Sequence, residues 1–288
     1  FSGEDNNRSF LFGSELSALK NWEYFNNSIN KEALVQLFNY QVISAPNSIF
    51  KNIFHLQPGH IITINTPKME FLEKSRSWWD LTSTIRNCLE NKIHNKEEAK
   101  LQVENNLMES ISLQSKADVS IGTFLSGGID SSLITALLQT QSSKKINTYT
   151  VGFEERDFNE APYAKEIARI LGTDHTEYYL TSKDALNLIP KLGNIYSEPF
   201  ADSSQLPTHL VCNEARRSGL SVALSGDGGD ELFGGYNRYF IGDNIWKKLE
   251  TLPWPLRRII GKLGGNLSHD LIDKVSRLFG VKQFGSKI

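Results

Sequence analysis

From Asp118 onward the sequence alternates short apolar runs with helical stretches, and this alternation restricts the fold more than any other feature. Val119–Leu125 ends at Ser126-Gly127-Gly128, and the helical stretch Ser131–Leu138 follows. Ile146–Phe153 reads as a second strand, Ala161–Leu171 as a helix stopped by Gly172, and His175–Leu180 as a third strand. Leu186–Ile195 and Leu206–Arg217 read as helices, the latter stopped by Gly219, and Leu220–Leu224 is a fourth strand. Strands separated by helices pair in parallel, because each crossover returns the chain to the edge it started from. The fold class expected is therefore α/β, a parallel sheet with flanking helices.

The stretch before Asp118 is organised differently. Residues 1–80 look β-rich: Phe10-Leu11-Phe12 ends at Gly13, and the β-branched run His60–Ile64 follows the turn Gln57-Pro58-Gly59. A helix is expected over Lys31–Phe38, with Asn30 as its cap and Ala33, Leu34, Leu37 and Phe38 at helical spacing. Residues 81–100 are polar, with Asn87, Asn91, Asn95 and the run Lys96-Glu97-Glu98, and read as a linker feeding a solvated helix. The tail from Ile245 to Ile288 is amphipathic and reads as helical. Three segments result: 1–80, a linker at 81–100, and 101–288.

Composition narrows the function classes. A net charge of −2 offers no broad footprint for nucleic acid. No apolar run approaches the roughly 20 residues that cross a bilayer. Two cysteines, Cys88 and Cys212, lie far apart in no metal-ligand spacing. They read as core thiols in a reducing compartment, which predicts a cytoplasmic protein. The chain starts at Phe1 without a Met and without a signal-peptide pattern, and reads as a piece of a longer protein.

Two glycine-rich loops carry the chemistry. In Ser126-Gly127-Gly128-Ile129-Asp130-Ser131-Ser132 the glycines clear side chains from an approaching anion and let N–H groups point inward. The helix start adds partial positive charge, and Ser126, Ser131 and Ser132 add hydroxyls. The loop lacks the Lys of a Walker loop and is not a GxGxxG turn. Asp130 within an anion cradle is repulsive unless a cation intervenes, and Mg²⁺ with oxygen ligands is the usual solution; the other reading is a helix cap. The second loop, Ser225-Gly226-Asp227-Gly228-Gly229-Asp230-Glu231 running on to Gly234-Gly235-Tyr236, follows the fourth strand. In a parallel sheet it lies at the same carboxyl edge, where ligands bind in open α/β folds. Asp230 is then a second candidate for the Mg²⁺, and Ser225 and Gly226 candidates for the phosphates.

The first loop resembles the pyrophosphate loop of the ATP-pyrophosphatase superfamily. The second loop resembles the second signature of the asparagine-synthetase family of glutamine-dependent amidotransferases. Between them, Ser197-Glu198-Pro199-Phe200-Ala201-Asp202-Ser203-Ser204-Gln205-Leu206-Pro207 is similar to that family's substrate-side loop, which makes Glu198, Asp202, Ser203 and Ser204 candidates there. Phe12-Gly13-Ser14-Glu15-Leu16-Ser17-Ala18-Leu19 resembles the last strand of its glutaminase domain, and Pro58-Gly59-His60 and Trp78-Trp79 the segments leading into its synthetase domain. The resemblance covers most of residues 10–240. It identifies 1–80 as the C-terminal part of an N-terminal-nucleophile glutaminase domain and 101–288 as a truncated synthetase domain.

What the resemblance implies is a carbon–nitrogen ligase using ATP and Mg²⁺. Aspartate is adenylated to β-aspartyl-AMP with release of pyrophosphate, and ammonia from glutamine then attacks. Leu125 and Val151, strand-end core residues on their own pattern, are where the family places adenine. Asp227 stands where better-known members have Glu, proposed there as a base toward the amine. Relatives serving cell-surface polysaccharide assembly resemble the Asp-containing version, which keeps a uronic acid open as the carboxylate. A family glutaminase needs a Cys at the mature terminus, so this chain with Phe1 is expected to lack that activity. A homodimer is compatible with the resemblance; His175 reads as structural.

Overall fold

The computed structural model of the chain describes residues 1–4, 10–63, 75–154 and 159–264, and the chain divides into two compact units, Phe1–Gly226 and Asp227–Ile288. The first unit opens with strands β1 (Ser2–Glu4) and β2 (Phe10–Phe12), helices α1 (Leu16–Lys20) and α2 (Lys31–Tyr40), and strand β3 (Ile53–Phe54). β1 is the central strand, with Ser2 antiparallel to both Phe12 and Phe54. A small core of Leu16, Leu19, Ala33, Ile43, Ile49, Phe50 and Ile53 supports them. α2 starts where expected, because Asn30 Oδ1 accepts from the Glu32 and Ala33 N–H groups at 3.0 and 3.4 Å. It runs to Tyr40, two residues past the expected end.

An antiparallel ribbon follows, β4 (His60–Ile62) with β5 (Ser75–Ser77). The turn that leads into β4 depends on Gly59, whose φ is +70° and whose carbonyl accepts from the Trp78 and Trp79 N–H groups beyond β5. Ile64, the end of the expected strand, lies outside the described residues. The stretch read as a linker contains helix α3 (Leu81–Glu90), capped by Asp80 through the Ser83 N–H at 2.7 Å. It buries none of its residues. Helix α4 (Lys96–Gln114) is capped by Asn95 and docks through Ile111.

The α/β layer is built as the alternation requires. Its elements are β6 (Ile121–Phe124), α5 (Ile129–Gln141), β7 (Asn147–Phe153), α6 (Ala161–Leu171), β8 (Asp174–Leu180), α7 (Ser182–Leu188), α8 (Leu192–Ile195), α9 (Gln205–Arg217) and β9 (Val222–Leu224). The four strands are all parallel, in the order β8-β7-β6-β9. Successive β6 residues face opposite sides of the sheet. Ile121 packs with Ile111, Leu137, Leu138 and Ile146 on one face, and Phe124 with Tyr149, Val211, Ala215 and Leu220 on the other. α6 comes close to the sheet because its inward positions are Ala161, Ala164 and Ala168, and Gly172 ends it in the left-handed region at φ +73°.

Two expectations are corrected here. Leu186–Ile195 is not one helix: α7 begins earlier, at a capping box between Thr181 and Asp184, and Pro190 interrupts the path with a 3₁₀ turn before α8. Cys88 and Cys212 are exposed free thiols, not core residues. α3 buries nothing, and position 212 falls outside the inward pair Val211 and Ala215 of α9.

His175 is a structural residue of β8, with Nδ1 2.9 Å from Thr148 Oγ1 and a buried Nε2 that has no hydrogen-bond partner among the described residues. Burial lowers its pKa from the ordinary 6.5; Glu177 works against the shift and Lys165 with it. The folded state therefore favours neutral imidazole. Its contribution is fully present above the unfolded pKa and is lost as pH falls through the lower folded one. The urea midpoint should drop between pH 7.5 and 5.5 by less in His175→Gln than in the wild type. Equal drops would remove His175 from the acid sensitivity.

The second unit holds α10 (Gly229–Phe233), α11 (Asn237–Glu250) and α12 (Trp254–Gly264). The expected helical tail is thus two helices broken at residues 251–253, the second running to Gly264, and residues 265–288 lie outside the described residues.

Candidate active site

Parallel pairing of β6 and β9 brings Leu125–Gly128 and Ser225–Gly226 to the same carboxyl edge. They also touch. A Cβ built on Gly226 would lie 2.7 Å from the Ser131 nitrogen and 2.9 Å from Asp130 Cβ, so only glycine lets this backbone rest on the first turn of α5. Gly127 is equally constrained, with φ +81° and a built Cβ 2.7 Å from Tyr163 Cβ and 2.9 Å from the Ala164 nitrogen. The loop is therefore wedged between α6 on one side and the end of β9 on the other.

Inside the loop the serines are bonded mainly to one another. Ser131 Oγ accepts from the Ser126 N–H at 3.1 Å, lies 2.9 Å from Ser126 Oγ and 3.3 Å from the Gly128 carbonyl. Ser126 Oγ accepts from the Gly128 N–H at 3.2 Å. Below them the buried Thr135 Oγ1 donates to the Ser131 carbonyl at 2.7 Å, so at 2.9 Å from it Thr123 must be the donor. This brace of two threonines was not read from the sequence; the only signal was two hydroxyl residues at core positions of a strand and a helix. Ser132 Oγ is buried without a hydrogen-bond partner among the described residues. The N–H groups of the first turn of α5 have no intrahelical acceptor, as at any helix start, and the helix dipole favours an anion there. Asp130 sits in that turn.

Leu125 is 1% exposed and packs against Ala164 and Ala168, so its side chain belongs to the core and only its backbone faces the edge. Val151 lies opposite Tyr178 near the carboxyl end of β7 and is half-buried. The substrate-loop candidates divide. Glu198 is fully engaged: Oε1 accepts from the Ile49 N–H at 2.6 Å and Oε2 meets His55 Nε2 at 2.7 Å. Asp202, Ser203 and Ser204 are exposed. Asp202 Oδ1 accepts from the Ser204 N–H at 2.8 Å, and this bond holds its carboxyl below the usual carboxylate range.

Asp227 opens the second unit. Within that unit Gly228 (φ +88°) and Gly234 (φ +69°) bracket the short α10, which carries Asp230 and Glu231 in its first turn. The glycine at 235 is required by Asp230: a Cβ there would run into Asp230 Oδ1. Glu231 is held by the Tyr236 hydroxyl at 2.8 Å. The glycines of this loop thus shape the backbone around Asp230.

The family model for asparagine synthase matches residues 102–284, and that for a glutamine amidotransferase domain matches residues 1–79. The chain is 34% identical over 257 residues to a putative glutamine-hydrolyzing asparagine synthetase of Methanocaldococcus jannaschii, covering 88% of this chain and 48% of that protein. It is 33% identical over 234 residues to a glutamine-hydrolyzing asparagine synthetase of Bacillus subtilis, covering 81% of this chain and 35% of that protein. The chain spans about half or less of the length of these curated relatives. Among solved structures, an NH₃-dependent NAD synthetase from Campylobacter jejuni aligns with a TM-score of 0.33 at 13% identity, over 48% of this chain and 60% of that one.

Proposed function

Because this chain belongs to the asparagine synthase family, we propose that its α/β layer adenylates a carboxylate, aspartate in our reading, as the first half of amide synthesis. A carboxylate oxygen attacks the α-phosphorus of ATP, the bond to the β-phosphate oxygen breaks, and pyrophosphate leaves. Ammonia, drawn from glutamine in the parent protein, then attacks the acyl carbon; AMP leaves and the nitrogen sheds a proton. The observation that carries this reading is the seating of Gly226 on Asp130 and Ser131. It sets the start of the second loop, Ser225–Gly226, against the first loop at the edge where α/β sheets bind ligands.

The roles follow from the chemistry of each group. Backbone N–H groups of Gly127, Ile129 and Asp130 hold the leaving pyrophosphate, while the Ser126 and Gly128 N–H groups, bonded to serine hydroxyls, keep the loop in shape. The cradle fits Mg²⁺–ATP because Gly127 and Gly128 place no side chain on it and Asp130 puts one carboxylate in the same helix turn. Asp130 and Asp230 are the ligands we assign to Mg²⁺, which supplies charge neutralisation for the phosphates when bound. Asp202, Ser203 and Ser204 are assigned to the carboxylate substrate.

Asp227 acts after adenylation in this reading, as a base or electrostatic guide for the amine. A positioned general base contributes about 10²–10⁴-fold in rate. Asp227→Asn should retain aspartate-dependent ATP–pyrophosphate exchange and lose amide product with ammonia by a factor in that range. A parallel fall of both half-reactions would move Asp227 into ATP binding.

A further inference from the structure

The segment between α8 and α9 is bound to the start of the chain at several points far apart in sequence. Besides the two bonds of Glu198, the Ala201 N–H donates to the Gln41 carbonyl at 2.8 Å. Ser197 Oγ donates to Glu15 Oε2 at 3.1 Å and accepts from the Ser17 N–H at 3.3 Å. The Glu198 side chain is only 13% exposed, and both of its oxygens are spent on residues 143 and 149 positions away. A carboxylate so placed is a tie between two parts of the molecule and has no oxygen left to lead with toward a ligand. Four residues further on, the Asp202–Ser204 turn starts α9.

We propose that Glu198 is a positioning residue. It fixes the Asp202–Ser204 turn against residues 41–55, which lie in the part matching a glutamine amidotransferase domain. The proposal rests on assigning that turn to the carboxylate substrate. Its consequence is that substrate affinity in the α/β layer depends on the packing of the glutaminase-like part, and by linkage the reverse also holds. Breaking the tie should loosen the turn and weaken binding of the carboxylate while leaving ATP, held at the other loop, unaffected.

Glu198→Ala removes both acceptors. Glu198→Gln keeps Oε1 for the Ile49 N–H and offers an amide proton to neutral His55, so it serves as the conservative rescue. Two readouts on the full chain separate the outcomes. In amide hydrogen exchange, Ile49 and Ala201 should exchange on the order of tenfold faster in Glu198→Ala, the equivalent of one hydrogen bond to a charged group, while β7 amides keep their wild-type rates. In ATP–pyrophosphate exchange, the KM for aspartate should rise on the order of tenfold with the KM for ATP within about twofold, and Glu198→Gln should recover most of both changes. Unchanged exchange at Ile49 and Ala201, equal changes in both KM values, or a Glu198→Gln as damaged as Glu198→Ala would overturn the proposal. If Glu198→Ala does not fold, Glu198→Gln against His55→Ala decides: only His55→Ala should speed exchange at Ala201. Absence of wild-type pyrophosphate exchange would instead overturn the proposed function, and the amide exchange would still decide the tie.

Discussion

Asp130→Asn is expected to lower Mg²⁺-dependent ATP–pyrophosphate exchange by about 10²–10³-fold, the usual cost of removing one electrostatic stabiliser of a charged transition state. The fold should survive. Among the described residues no hydrogen bond or ion pair depends on the Asp130 side chain, and its stabilising role is that of an acid in the first turn of α5. Losing that charge costs about 0.3–1 kcal/mol through the helix dipole, a few degrees at most in melting temperature for a unit of this size. The variant should also lose the ability of Mg²⁺ to strengthen ATP binding. Wild-type exchange in Asp130→Asn would reduce the residue to a helix-start acid and leave the cradle without its metal ligand.

Gly226→Ala is the second large effect, and it tests geometry instead of charge. The added methyl would enter within 2.7–2.9 Å of the backbone at Asp130 and Ser131, a separation that β-carbons do not adopt. Either the end of β9 or the first turn of α5 must retreat. Overpacking of this kind costs about 1–3 kcal/mol in stability, and a displacement near 1 Å at a reacting centre costs on the order of 10²-fold in rate. The expected result is a folded protein whose exchange activity falls about 10²-fold. Gly193→Ala is the control, because a β-carbon there meets nothing within 4 Å and the residue lies in α8. It should leave activity unchanged. If Gly226→Ala keeps full activity, the contact between the two loops has no part in shaping the cradle.

The α/β layer was legible because its signals are local. The bounds of α6 follow from its periodicity and from Gly172, whose left-handed φ only glycine adopts at no steric cost. β7 and α9 were placed to within a residue by apolar pattern, and parallel pairing follows from the alternation itself. The helix within 81–100 was missed because polar residues outweigh its Leu81, Ile85 and Leu89, which recur every four positions but remain exposed. The start of α7 could have been found from Thr181 and Asp184, a cap-and-return pair at the right spacing. The role of Glu198 could not, because its partners are set by tertiary packing across more than 140 residues. Ser131 shows the same limit on a smaller scale. Its hydroxyl chemistry was evident, but its use inside the loop depends on the turn that brings Ser126 back onto it.

Whether the Ser126–Asp130 cradle serves acyl-adenylate formation can be decided by following the carboxylate oxygen. Aspartate labelled with ¹⁸O in its side-chain carboxylate is turned over with ATP, Mg²⁺ and ammonia, and the nucleotide and phosphate products are weighed by mass spectrometry. Attack on the α-phosphorus leaves one labelled oxygen on AMP when the amine displaces it, with unlabelled pyrophosphate as the other product. Singly labelled AMP should appear in step with amide formation. Label in inorganic phosphate, with ADP as the nucleotide product, would mean attack at the γ-phosphorus and would rule out an acyl-adenylate.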